Sequence, residues 1–291
     1  MRVENGILNI DGLPAEIRYI FKRGYPEYDP ENISEYSDDS DDSESSGYSD
    51  YPKDIRNCDD NCKEICMCGY INFLKRKYEP IEYAKEILLD KLKKNQKEVT
   101  RLLISESSNQ IPYQYHFNFI IMYHFHNLKQ LFIEFSHNLL NQLNVCFRQF
   151  NCLETLIMIH AAVITYDKDA RDVDLSFPQT LKYLKLDSCR NYKAPISVRE
   201  SLYNEEAYLD RGTPLNVIPK ALPNLKKLVY NADGKDAAII HKFIDLNPQL
   251  SYIASEKSNF TAHTLHVISN IPTLKVRFDT EFDDPRLDSI F

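Results

Sequence analysis

Four cysteines crowd into eleven residues, Cys58-x-x-x-Cys62-x-x-x-Cys66-x-Cys68, and thiolates at such density are the residues of this chain best suited to hold a metal. Four of them could close a tetrahedral zinc site. The spacing departs from the paired C-x2–4-C of zinc modules, and positions 58, 62 and 66 fall on one helical face. The expectation is therefore that these are small core hydrophobes, with zinc as the weaker alternative. No other cofactor is expected.

Catalytic patterns are absent by the same inspection. The eight histidines, at 116, 124, 126, 137, 160, 241, 263 and 266, are scattered, and no H-E-x-x-H, G-x-S-x-G, P-loop or dinucleotide fingerprint occurs. Seven glycines in 291 residues leave little from which to build a phosphate-cradling loop. The reading is that the chain is not an enzyme and acts by binding.

What must position the binding residues is a recurring apolar phrase. It runs Asn127-Leu128-x-x-Leu131-x-Ile133, Cys152-Leu153-x-x-Leu156-x-Met158, Thr180-Leu181-x-x-Leu184-x-Leu186, Asn224-Leu225-x-x-Leu228-x-Tyr230 and Gln249-Leu250-x-x-Ile253. With a weaker first copy, Val99-x-x-Leu102-x-Ile104, and a last one near 274, the starts are separated by 29, 25, 28, 44, 25 and 24 residues. All but the fourth interval match stacked repeats of roughly 20–29 residues. The long interval predicts an insertion near 190–213, and Arg277, where an apolar residue is expected, suits a terminal cap.

Within each phrase the last two apolar positions alternate with period two, as in a short strand with one face buried. Between phrases the spacing turns helical: Leu139, Leu140, Leu143, Cys146, Phe147 and Phe150; Ile239, Ile240, Phe243 and Leu246; Leu265, Val267, Ile268 and Ile271. Pro178, Pro223, Pro248 and Pro272 precede the phrases and are expected to end those helices. Leu181-Lys-Tyr-Leu184-Lys-Leu186-Asp-Ser-Cys189 resembles the leucine-rich repeat pattern through its ninth position. The resemblance implies an α/β solenoid over 99–291, a curved parallel sheet with outer helices.

Residues between the buried leucines would then face a partner from the concave side. They are Phe132 and Glu134; Ile157 and Ile159; Tyr183, Lys185 and Asp187; Lys227, Val229 and Asn231; and Tyr252. Phe132, Ile157, Ile159 and Val229 beside Tyr183 and Tyr252 give the aromatic-rich mix of interface centres.

The first third differs. Residues 27–50 hold ten acids and no Lys or Arg, with Ser at 34, 37, 40, 43, 46 and 49, so residues 27–57 are expected to be an acidic disordered insertion. Taking the −10 of residues 27–50 from the chain's −8 leaves the remainder at about +2. No Lys/Arg cluster stands out along the chain, so no nucleic-acid partner is expected.

On either side of that insertion, 1–26 and 58–98 read as parts of a small helical module and cap. Leu13-Pro14-Ala15-Glu16-Ile17-Arg18-Tyr19-Ile20-Phe21 resembles the opening of an F-box, and the segment from Cys62 to Pro80, followed by the apolar positions of 81–98, is similar to its later helices. That resemblance implies adaptor binding by Leu13, Pro14, Glu16, Ile17, Ile20 and Phe21. It also implies a substrate-recognition subunit of a cullin-type ubiquitin ligase, the alternative being a free-standing repeat scaffold. An odd cysteine count, no apolar leader and no run of about 20 apolar residues point to a cytoplasmic or nuclear protein without membrane contact.

Overall fold

In a computed structural model of the chain, residues 3–4, 6–11, 85–94, 96–105, 115–165, 172–193, 212–231 and 237–278 are described. The chain divides into two units, 1–13 with 91–291, and 14–90. Of the second unit, residues 85–90 are described, and they are helical.

The first unit is α/β. In chain order it holds strands β1 (Val3–Glu4), β2 (Ile7–Asp11) and β3 (Arg101–Ser105), helix α1 (Tyr115–His124), β4 (Gln130–Glu134), β5 (His137–Leu139), α2 (Leu140–Gln149), β6 (Thr155–Ile159), β7 (Ala162–Thr165), β8 (Tyr183–Asp187), β9 (Arg190–Lys193), β10 (Thr213–Pro214), β11 (Lys227–Asn231), α3 (Ala237–Leu246), β12 (Tyr252–Ala254), α4 (Ala262–Ser269) and β13 (Lys275–Arg277). One sheet takes the order β1-β2-β3-β4-β6-β8-β11-β12-β13, all neighbours parallel except the β1–β2 pair. A second sheet, β10-β9-β7-β5, is parallel apart from β10.

Register explains why the leucine phrase recurs. Leu8, Leu102, Leu131, Leu156, Leu184, Leu228, Ile253 and Val276 occupy one row across eight strands, and Ile10, Ile104, Ile133, Met158, Leu186 and Tyr230 the next row of the same parity. Leu8, Leu102, Leu131, Leu156, Leu184, Leu228 and Ile253 are fully buried. At the start of each strand the carbonyls of Gly6, Thr100, Lys129, Glu154, Lys182 and Lys226 each accept two N–H groups from the next strand, at 2.8–3.1 Å. This is a backbone ladder that sequence variation at those positions leaves intact.

Several expectations need correction. Val3–Glu4 and Ile7–Asp11, placed by sequence in a helical module, are strands that open the sheet. Pro178 and Pro223 follow extended segments rather than helices: Val173 pairs with Val217, and Val173, Leu175, Phe177, Leu215 and Val217 are buried. Two amide side chains, half-buried Asn144 on α2 and buried Asn247 just past α3, clamp the backbones of these segments. Asn144 donates to Asp174 O at 2.8 Å and accepts from Ser176 N, and Asn247 accepts from Leu222 N at 2.7 Å and donates to Lys220 O at 2.9 Å. Arg277 does not fall in the leucine row. The last copy is one residue shorter, so Val276 takes that row and Arg277 lies opposite Ala254. The insertion near 190–213 begins and ends on paired strands, with Thr213 opposite Asn191. Residues 194–211 lie outside the described residues.

Helices α2, α3 and α4 form where their periodicity places them. Leu143, Cys146 and Phe147 are the buried stripe of α2, and Ile239, Ile240, Phe243 and Ile244 that of α3. The Oγ1 of Thr261 caps α4 by accepting the Thr264 N–H at 3.0 Å.

Candidate binding face

Strand residues that alternate with the leucines make a single surface of the large sheet. Its central row runs Leu103, Phe132, Ile157, Lys185, Val229, Ala254 and Arg277. The row at the strand entries is Arg101, Gln130, Thr155, Tyr183, Lys227, Tyr252 and Lys275, and that at the strand exits is Ser105, Glu134, Ile159, Asp187 and Asn231. The residues expected to share a concave face therefore do share rows.

Their accessibility differs from expectation. Phe132, Ile157, Lys185, Val229 and Asn231 are buried, with Ile157 only 1% and Val229 0% exposed. Glu134, Ile159, Tyr183, Asp187 and Tyr252 are half-buried and Lys227 is exposed. An apolar strip open to solvent along the centre is thus not what the chain presents; the more accessible side chains lie in the flanking rows.

Three of the expected residues form a polar knot across two strands. Lys185 Nζ lies 3.4 Å from Asp187 Oδ2, and Asn231 Nδ2 and Ser188 Oγ donate to Asp187 Oδ1 at 3.1 and 3.2 Å. Asp187 and Asn231 are 44 residues apart in sequence, across the long interval. A buried ammonium requires this carboxylate, because an unpaired charge out of water is costly.

At the exit corner Phe135, His160 and Ser188 occupy one repeated position with φ of 48°, 49° and 51°. The left-handed turn redirects the chain from the large sheet into β5, β7 and β9. It also stacks the Phe135 and His160 rings at 4.8 Å, with Phe135 about half exposed. One position later, Cys189 Sγ donates to Met158 O of the preceding strand unit at 3.3 Å, tying the two together.

A register-built feature escaped sequence inspection. The entry row and the residues just before it, Lys129, Glu154, Lys182 and Lys226, bring together Arg101, Lys129, Lys182, Lys226, Lys227 and Lys275 from five strands and their approaches. They are scattered over 175 positions of sequence, so no local cluster stood out. The available signal was Lys at the second position of three leucine phrases, Leu128-Lys129, Leu181-Lys182 and Leu225-Lys226.

Elsewhere, chemistry is sparse. A cleft of about 500 Å³ lies between Phe147, Phe150 and Phe177, with Arg148 and Lys220 at its rim. Both cations are engaged, by Ser176 Oγ at 3.3 Å and by Asp174 at 2.6 Å. Burial pushes the Cys146 thiol up to about 12, which makes it a poor nucleophile. Among the described residues no group of three or more His, Cys, Asp or Glu could hold a metal ion, and no helix is long and apolar enough to cross a membrane. The cysteines at 58, 62, 66 and 68 and the F-box-like residues 13–21 lie outside the described residues. Comparison with protein-family models, curated proteins and solved structures found no match for this chain.

Proposed function

We propose that the chain is a non-catalytic protein-binding module in which a leucine-rich-repeat solenoid presents the strand face of its large sheet to a protein partner. The observation that carries this reading is the register. Seven strands in identical phase align Tyr183, Lys227 and Tyr252 on one row and Asp187 and Asn231 on another, a surface about 29 Å long at roughly 4.8 Å per strand. Among the described residues no constellation of nucleophile, base and orienting group accompanies it. A photo-crosslinking residue at position 227, compared in the native host with one at exposed Leu246 on α3, tests the reading. Protein adducts at 227 and none at 246 are expected, and adducts at 246 alone would refute a strand-face site.

A narrower reading makes this module the substrate receptor of a cullin-type ubiquitin ligase. It is supported by the F-box-like residues Leu13 to Phe21 and by the separation of 14–90 as its own unit, of a size suited to a small docking module. Such a module would be spliced between two adjacent strands, β2 and β3, rather than precede the repeats. Co-purification with the host's ligase adaptor, abolished by Leu13→Ala/Pro14→Ala/Ile17→Ala, is the expected outcome. A wild-type chain that leaves the adaptor unbound would return the protein to a free-standing scaffold.

A further inference from the structure

We infer that the strand-entry edge of this face is a docking strip for an acidic, extended segment of a protein partner; the inference rests on the strand-face reading and specifies its partner. Arg101, Lys227 and Lys275 belong to the entry row of the face, and the exposed Lys129, Lys182 and Lys226, one residue earlier and of the opposite parity, stand at the mouths of β4, β8 and β11 beside that row. Glu154 is the one acid in those two rows, and Lys182 already holds it at 2.9 Å. Arg101, Lys129, Lys226, Lys227 and Lys275 have no carboxylate partner among the described residues, and all four lysines are exposed. Single exposed lysines are ordinary; five uncompensated cations ordered by a parallel register are a surface of one sign.

Two further observations shape the ligand. Aromatic and cationic residues interleave along the row, Tyr183, Lys227, Tyr252, Lys275, so each step offers both a charge and apolar area. The opposite row carries acids and no Lys or Arg: Glu134 stands at a strand exit, beside Asp187, which Lys185 of the central row already neutralises, and Glu256 lies just beyond β12. The face is therefore polarised across a width of one strand. An acidic segment is favoured at the entry edge and repelled from the exit edge, which fixes its position. An oligonucleotide would meet the same exit-row repulsion as an acidic peptide, so the two are compared side by side. Seven strands at about 4.8 Å span roughly 29 Å, the length of about nine extended residues.

The test is fluorescence anisotropy of the full chain with a labelled ten-residue peptide of alternating Glu and Ser, beside a Lys/Ser peptide and an oligothymidylate of equal length. The acidic peptide is expected to bind, to weaken with added salt, and to lose at least about ten-fold in affinity in Lys226→Glu/Lys227→Glu. Lys182→Glu/Lys275→Glu, at a separate pair of exposed positions, is expected to weaken it likewise, with unchanged thermal melting in both variants. No binding of the acidic peptide, equal binding by folded variants, or tighter binding of the oligothymidylate would each overturn the inference. With those outcomes, adducts at position 227 would still uphold the strand-face site, whereas adducts confined to 246 would remove the site itself.

Discussion

Asp187 accepts from Asn231 and Ser188 and neutralises Lys185, so three neighbours depend on one carboxylate. Replacing it by alanine strands an ammonium whose side chain is 7% exposed, and a loss of about 3 kcal/mol in urea unfolding is expected. Lys185→Met should cost less, because the Asp187 carboxylate that it leaves keeps two hydrogen bonds and a side chain 17% exposed. A double variant whose loss equals the sum of the two single losses would mean the pair is not coupled. Cys146 offers a second check: iodoacetamide with peptide mapping should modify exposed Cys152 and spare Cys146 at mildly alkaline pH. His124 is held below its ordinary value, chiefly by burial and secondarily by His126 and Lys93, against a raising hydrogen bond at Leu92. The folded state thus binds fewer protons there than the unfolded chain. Its contribution to stability is complete above about pH 6.5 and is lost as pH falls toward the lower folded value. Melting temperature followed from pH 8 to 5 should fall less steeply in His124→Gln. Of the polar knot, the membership of Lys185, Asp187 and Asn231 was legible because each alternates with leucines. The Asp187–Asn231 bond was not, because the 44-residue interval hid which strand is whose neighbour.

The strands were the most legible elements, since burial on one face forces a period that short apolar phrases display. Leu156, fully buried at the middle of the sheet, should cost about 3 kcal/mol as alanine. The corners were invisible: Phe135, His160 and Ser188 are not the glycines or asparagines that usually mark positive φ. A single bond series, Phe135 N to Ile159 O, His160 N to Asp187 O and Ser188 N to Asn231 O, holds each corner in that conformation. Ser188→Gly is accordingly expected to be neutral or to stabilise by up to about 1 kcal/mol, while Ser188→Val, β-branched at φ of 51°, should lose about 2 kcal/mol. Calorimetric melting of the pair separates backbone strain from side-chain loss. The extended stretches before Pro178 and Pro223 were misread because a proline ends a strand-like segment as readily as a helix, and the clamps that decide, Asn144 and Asn247, act from 25 to 32 residues away. Strand β2, Ile7-Leu8-Asn9-Ile10-Asp11, carries the same alternation at Leu8 and Ile10 but was missed because residues 12–100 separate it from the rest of the series.

Across the whole molecule, charge is sorted in a way that composition conceals. A chain of net −8 keeps a basic edge on its sheet, and the sorting is written at one phrase position per unit rather than in any window of sequence. Topology is likewise non-local: β2 pairs with β3 over five residues, although residues 12–100 separate them. Deleting residues 1–11 should leave Leu102 without its neighbour Leu8, bare the β3 edge, and produce self-association by light scattering. A monodisperse deletion would mean that the hairpin is dispensable. The same pairing sets a clock. A ribosome adding roughly 5–20 residues per second makes the amino-terminal strand and then needs about 5–18 s before its partner is synthesised. During that wait β2 has nothing to zip against, so the sheet can grow in the carboxyl direction as each later strand emerges, but its opening edge cannot be laid down in order of birth.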